Sequence, residues 1–372
     1  MPDEQNETLE ITEPESIGTC YNCGDDLYED TITERLEGEI FCESCYANRS
    51  DCDHCNTTSL TSTVEFRREI DTYLCDYCFC NYMDSSDDSD NDRHPLIHDY
   101  GYRPSPNFHG SPDHGLYYGF ELEIQVKNYK ELYGGIDELI HCNDGAVERL
   151  ICNNRLYLKE DSSIDPGVEI VSHPHSMYYY YGTDNDNPYL NAIVESAAGH
   201  FVATDKCGLH IHVSRELSAF RDRVRTYRMA HLLQNTVLFE RLSGRENFGY
   251  CQTGMHHRNG IRHKTKGICN YRHDALNTTN KNTVEVRIWS SSLDLPILHA
   301  RFEITKLLVE FSRTLRFSPE NAPREINFLS YLLAHGSDTV KAYLRVCHGG
   351  KTLASIQDDY LTREINCTRK VV

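Results

Sequence analysis

The 372-residue chain has no run of about 18 apolar residues, so it offers no candidate transmembrane helix. Its first residues, Met1-Pro2-Asp3-Glu4-Gln5, lack the basic stretch and apolar core of a secretory signal, so the expected location is intracellular, cytoplasm or nucleus. The hydrophobic fraction, 39%, is low for a single packed core. Basic side chains are almost missing from the first quarter. Residues 1–92 hold 25 Asp/Glu against 4 Lys/Arg, a net of −21, and the remainder carries +1. The whole formal charge of −20 is therefore N-terminal. An acidic segment repels phosphates, which argues against nucleic acid as its partner. Without a secretory route the sixteen cysteines read as thiols or metal ligands, not disulfides.

Eight of those cysteines form four Cys-x-x-Cys pairs: Cys20/Cys23, Cys42/Cys45, Cys52/Cys55 and Cys75/Cys78. Such a turn brings two thiolates close enough to share one tetrahedral zinc, and two turns close a structural site. The pairs repeat with nearly equal internal spacing (42 − 20 = 22, 75 − 52 = 23), and Ile40-Phe41-Cys42-Glu43-Ser44-Cys45-Tyr46 parallels Tyr73-Leu74-Cys75-Asp76-Tyr77-Cys78-Phe79. This tandem duplication favours sequential sites over an interleaved cross-brace. The pattern resembles LIM-type and other treble-clef zinc modules, without the usual LIM histidines at matching positions. An iron–sulfur or redox role is the alternative for the pairs, and His54 and Cys80 read as spare. Two structural Zn²⁺ ions are expected. Closed zinc sites keep no open catalytic position, so this module is expected to bind a protein or basic-peptide partner.

Residues 1–17 read as an acidic disordered tail, 18–82 as the zinc module and 83–115 as an acidic, proline-containing linker. Residues 116–350 form the large domain and 351–372 a C-terminal tail. Within the domain the patterns predict strands at 117–126, 155–159, 168–172, 209–213 and 283–289. Helices are predicted at 131–142, from Pro188 to about Gly199, and at 221–242, 297–316, 325–334 and 337–347. The implied class is α+β, a sheet with packed helices and one open face.

Three of these strands carry paired ionisable residues at i and i+2: Glu121/Glu123, His210/His212 and Glu285/Arg287. Apolar residues fill the alternate positions, Phe120, Leu122, Ile124 and Val126 among them. Period-two alternation places each polar pair on one strand face, about 7 Å apart. Carboxylates so placed repel one another unless a divalent cation lies among them. Glu169 is a further strand carboxylate, and Asp161 stands in the polar turn before it. Oxygen-rich donors with imidazole favour Mg²⁺ or Mn²⁺ over zinc. Residues 245–281 are rich in Arg and Lys, suited to a polyphosphate. His173-Pro174-His175 is expected to be structural. Cys207, Cys251 and Cys269 lie near the motifs, but no sequence partner activates a thiol.

The succession Gly119-Phe120-Glu121-Leu122-Glu123, Asp161-Ser162-Ser163, Gly167-Val168-Glu169-Ile170-Val171-Ser172, Cys207-Gly208-Leu209-His210-Ile211-His212-Val213, Ser243-Gly244-Arg245 and Thr283-Val284-Glu285-Val286-Arg287-Ile288 resembles the amidoligase family. That family is related to glutamine synthetase and γ-glutamyl-cysteine ligase, and the likeness spans roughly residues 116–315. It implies a glutamine-synthetase-like antiparallel catalytic sheet and ATP-dependent joining of a carboxylate to an amine. By that resemblance Glu121, Glu123, Glu169 and Glu285 hold metal, His210 is a metal ligand and His212 a nucleotide contact. Arg245 and Arg287 stabilise the transferring phosphoryl group. Two other readings compete: a metal-dependent hydrolase using His210, His212 and a carboxylate on one zinc to activate water, and a non-catalytic adaptor acting through its zinc module.

Overall fold

The computed structural model describes residues 18–19, 26–27, 32–36, 39–42, 49–51, 58–60, 64–67, 72–75, 96–127, 132–164, 166–177, 180, 188–234, 237–246, 251, 273–314 and 322–369. The N-terminal part of this set is eight short strands in four antiparallel pairs. β1 (Gly18–Thr19) pairs with β2 (Asp26–Leu27), and β3 (Ile32–Leu36) with β4 (Glu39–Cys42). β5 (Arg49–Asp51) pairs with β6 (Thr58–Leu60), and β7 (Val64–Arg67) with β8 (Thr72–Cys75). The duplication seen in sequence is thus also a duplication of backbone: β7 follows β3 by 64 − 32 = 32 residues, and Cys75 follows Cys42 by 75 − 42 = 33. Cys42 and Cys75 close the last strand of each repeat. Cys20, Cys23, Cys45, Cys52, Cys55, Cys78 and the tail 1–17 lie outside the described residues.

The larger unit is a mixed α/β arrangement. Its strands are β9 (Ile97–His98), β10 (Tyr118–Val126), β11 (Leu156–Lys159), β12 (Gly167–Ser172), β13 (Phe201–Val202), β14 (Gly208–Ser214), β15 (Leu276–Asn277) and β16 (Thr283–Ser290). They form one sheet in the order β15-β16-β14-β10-β12-β11-β9, with β13 beside β10. Every pairing is antiparallel except β9 with β11. The helices are α1 (Leu132–Cys152), α2 (Pro188–Ala197), α3 (Ala219–Gln234), α4 (Val237–Ser243), α5 (Leu295–Arg313), α6 (Glu325–His335), α7 (Asp338–Cys347) and α8 (Leu353–Arg369). None of the described helices is long and apolar enough to cross a membrane.

The apolar half of each alternating strand faces one continuous core. Phe120, Leu122, Ile124, Leu209, Ile211, Val213, Val284, Val286 and Ile288 are all fully buried there. Phe120 sits edge-on to Phe302 of α5, with ring centroids 5.6 Å apart. Burying such a side chain contributes roughly 1.5–3 kcal/mol, so the underside carries the fold and the upper face is free for polar chemistry. α5 starts where the sequence signals it: Asp294 accepts a hydrogen bond from the Ile297 N–H, and Pro296 occupies the first turn.

The structure corrects several boundaries. Residues 96–115, placed in a linker by composition, are docked: β9 extends the sheet, Leu96 and His109 are buried, and the Asp113 carboxylate accepts the Met177 N–H. A two-residue strand is too short for any periodicity to reveal it. Residues 353–369, taken for a tail, form α8, which buries Ile356 and Tyr360 one turn apart. α1 runs on to Cys152 instead of ending near 142, and Gly145 within it takes the left-handed φ of 70° that interrupts the apparent pattern.

His173 and His175 pack beneath the docked segment. Their rings meet His109, His173 Nδ1 accepts the Asn107 N–H and His175 Nδ1 accepts the Ser176 N–H. Burial keeps these imidazoles neutral, taking His173 down to about 4. Their role is structural.

Candidate functional site

Register places the paired polar residues side by side. Glu121 on β10 is opposite His210 on β14, and His212 on β14 is opposite Glu285 on β16. On the other side Glu123 is opposite Glu169 on β12, which is opposite Lys159 on β11. Five adjacent strands therefore supply one polar floor above the apolar core.

Glu121 is the hub. Its Oε2 lies 3.0 Å from His210 Nδ1 and its Oε1 lies 3.0 Å from His212 Nε2. Glu123 Oε2 accepts the Gly208 N–H at 2.5 Å, and its Oε1 lies 3.7 Å from His210 Nε2. Glu285 accepts from Arg287 through Oε1 and from the Asn277 side-chain amide through Oε2 at 2.7 Å. Lys159 Nζ stands 2.8 Å from Glu169 Oε2, with both side chains almost fully buried. Asp161, at the turn before β12, accepts the Ser163 N–H and adds its charge beside Glu123.

Electrostatics follow from this crowding. Burial alone would raise the Glu121 carboxyl, but His212 and His210 hold it well below the usual carboxylate range. Burial pushes Glu123 up against the pull of His210 and the Gly208 N–H. Burial and the adjacent Glu121 carboxylate push Glu169 up despite Lys159. Burial opposes the charge on His212, yet Glu121 and Glu285 raise its pKa overall. A dense set of buried carboxylates with too few counter-charges is one a cation stabilises. Among the described residues, three donor groups have ligand atoms within 4.8 Å of one another: Glu121/Glu169/His210, Glu121/His212/Glu285 and Glu123/Asp161/Glu169. They share Glu121 and Glu169, so they are neighbouring positions of one centre.

Arg287 and Arg245 border the floor in different ways. Leu209 pairs with Trp289 but Ile211 pairs with Val286, so Arg287 and Ile288 together face the single residue His210. This is a β-bulge, which frees backbone carbonyls and re-aims a side chain. The Arg245 guanidinium takes up those carbonyls, donating to Trp289 O at 2.7 Å, Ile288 O at 3.2 Å and Arg287 O at 3.4 Å. Arg245 thus braces the bulged backbone beside Arg287, whereas the family resemblance implied a phosphoryl contact for both arginines.

All nine residues expected at the site, Glu121, Glu123, Asp161, Glu169, His210, His212, Arg245, Glu285 and Arg287, gather at this face. His212, expected as a nucleotide contact, stands within the Glu121/Glu285 donor group. Lys159, Tyr157 and Asn277 were not singled out. Asn277 lies on β15, which is two residues long and too short to show a pattern. Lys159 and Tyr157 sit two apart on β11, so the same alternation rule would have found them. Tyr157 is kept protonated by burial and by the charges of Glu121 and Glu169. Cys207 and Cys251 are buried, and burial raises the Cys207 thiol away from nucleophile chemistry. Cys269 lies outside the described residues.

Gly208 is required by close approach. A Cβ there would stand 2.6 Å from Arg245 Nη2, 2.8 Å from His210 Nε2 and 3.3 Å from Glu123 Oε2. Gly208→Ala is expected to displace these three groups and weaken divalent-cation binding by about tenfold, with little change in melting temperature. Unchanged Mn²⁺ affinity in that variant, measured beside its melting curve, would show that the approach is not functionally tight.

No protein-family model matches the chain, and no curated protein matches it. A solved structure described as "Crystal structure of novel glutamine synthase homolog" aligns with 67% of this chain and 68% of its own, at 13% identity and a TM-score of 0.32. A likeness at that level carries no argument for fold or activity.

Proposed function

We propose that the protein is an ATP- and Mg²⁺-dependent carboxylate–amine ligase that forms an amide or peptide bond through an acyl phosphate. The observation that carries this reading is the trio of overlapping donor groups, carboxylates with two imidazoles, on one polar sheet face, with Arg287 at their border. The donor chemistry fits Mg²⁺ or Mn²⁺: oxygens dominate, and each group has at most one imidazole. When bound, the metal supplies Lewis-acid charge that neutralises phosphate oxygens. Glu121, Glu123, Asp161, Glu169, His210, His212 and Glu285 would hold it.

The chain's own residues perform the rest. Glu285 fixes the Arg287 guanidinium, whose donors meet the charge that develops on the γ-phosphoryl group in transfer. Arg245 keeps that guanidinium aimed by bracing the bulge. A substrate carboxylate oxygen attacks the γ-phosphorus and ADP leaves. An amine nitrogen then attacks the acyl carbon, the C–O bond breaks, phosphate departs and the nitrogen gives up a proton. The tandem cysteine module is assigned the recruitment of a protein partner through two zinc sites and its acidic surface.

The hydrolase reading has less support. His210 and His212 fall in different donor groups, so no two-histidine group forms among the described residues.

Purified protein incubated with ATP, Mg²⁺, hydroxylamine and a panel of carboxylic acids is expected to release ADP and accumulate a hydroxamate with the correct acid. No ADP release across a broad panel, together with no nucleotide binding, would overturn the ligase reading.

A further inference from the structure

Lys159 lies outside the motif residues and is buried against the centre. It is 4% exposed, on β11 beyond Glu169, and its ammonium touches a carboxylate that belongs to two of the three donor groups. The Tyr100 ring covers it, with Nζ 5.7 Å from the ring centroid, and Tyr100 comes from the segment that β9 docks against β11. A long, entropically costly side chain held in such a place needs a reason.

Charge supplies one. The floor gathers the carboxylates of Glu121, Glu123, Asp161, Glu169 and Glu285. Its permanent cations are Lys159 on Glu169, Arg287 on Glu285, and Arg245 beside Glu123. The ammonium therefore holds a carboxylate shared by two of the three donor groups, and only the Glu121/His212/Glu285 group lies clear of it.

We infer that Lys159 is an internal counter-cation that limits the nucleotide-free centre to one tightly held divalent ion, leaving further metal positions to be filled only with the charge a polyphosphate brings. Lys159 is a positioning residue in this scheme. It fixes Glu169 and weakens the competition of that carboxylate for a second ion. The inference rests on reading the floor as a divalent-cation centre.

The test is Mn²⁺ binding to the full chain without nucleotide, followed by electron paramagnetic resonance. Mn²⁺ prefers hard oxygen donors and stays off cysteine thiolates. The wild type is expected to bind one tight Mn²⁺ per chain. Lys159→Met should bind a second at least about tenfold more tightly than the wild type binds its second, because one buried positive charge has gone. Lys159→Arg should restore the wild-type count. Lys159→Gln, which keeps a polar head for Glu169, should behave like Lys159→Met if the methionine variant folds poorly. Mn²⁺ should also raise the melting temperature of the neutral variants more than that of the wild type. Two tight ions in the wild type, or unchanged binding in both neutral variants, would overturn the role of Lys159 and leave the cation centre standing. No Mn²⁺ binding by any form would overturn the centre and the inference together.

Discussion

Glu121→Gln is expected to abolish hydroxamate formation, with a loss of about 1,000-fold or more, while leaving the chain folded. The carboxylate serves both imidazoles, one on each oxygen at 3.0 Å, and belongs to two of the three donor groups. Gln keeps the shape but loses the negative charge, and can accept from only one imidazole through its single oxygen. Removing an electrostatic contact made at the reacting centre costs on the order of 3–4 kcal/mol, hence the expected factor. The Glu121 side chain is 21% exposed, so the amide is not forced into a dry cavity. A change in stability is still expected. A carboxyl held below its unfolded pKa stabilises the fold at neutral pH and loses that contribution as pH falls through the folded value. The variant should therefore melt lower than the wild type at pH 7, with the gap closing in acid. Near-normal hydroxamate yield in Glu121→Gln would remove Glu121 from the chemistry.

Trp289→Ala is expected to give the largest loss of stability, about 3–5 kcal/mol. This is the single tryptophan of the chain, and it is fully buried at the end of β16. Its indole N–H donates to Thr305 Oγ1 at 2.9 Å, tying the sheet to α5, and its ring packs on Phe239 at 6.0 Å. Truncation leaves a cavity, orphans the Thr305 contact and loosens the bulge whose carbonyls Arg245 holds. The melting temperature should fall on the order of 10 °C. Circular dichroism is the right readout, because the substitution removes the fluorophore. Trp289→Phe should lose less than half as much. A loss below about 1 kcal/mol in the alanine variant would contradict the packing described here.

Much of the site was legible locally. A strand with a buried underside must alternate, so Glu121/Glu123, His210/His212 and Glu285/Arg287 announce themselves without knowledge of the fold. The isolated carboxylate Glu169 was legible for the same reason. Lys159 and Tyr157 obey the rule too, but β11 has four residues, and two alternations are a weak signal. β9 and β15 have two residues each, and no pattern can be read in two. Pairing with a neighbour is what makes them strands.

By itself, then, the sequence determined the charge division at residue 92, the duplication of the cysteine repeat, and the alternation that separates an apolar underside from a polar floor. Those are properties of composition and of a two-residue period. Tertiary structure alone decided which strands are neighbours, and so that Glu121 meets His210 and Glu169 meets Lys159. It also decided that β16 bulges opposite His210 and that Arg245 braces the carbonyls freed there. Register and bulges arise from hydrogen bonding between segments far apart in the chain, and that is energy no local window contains.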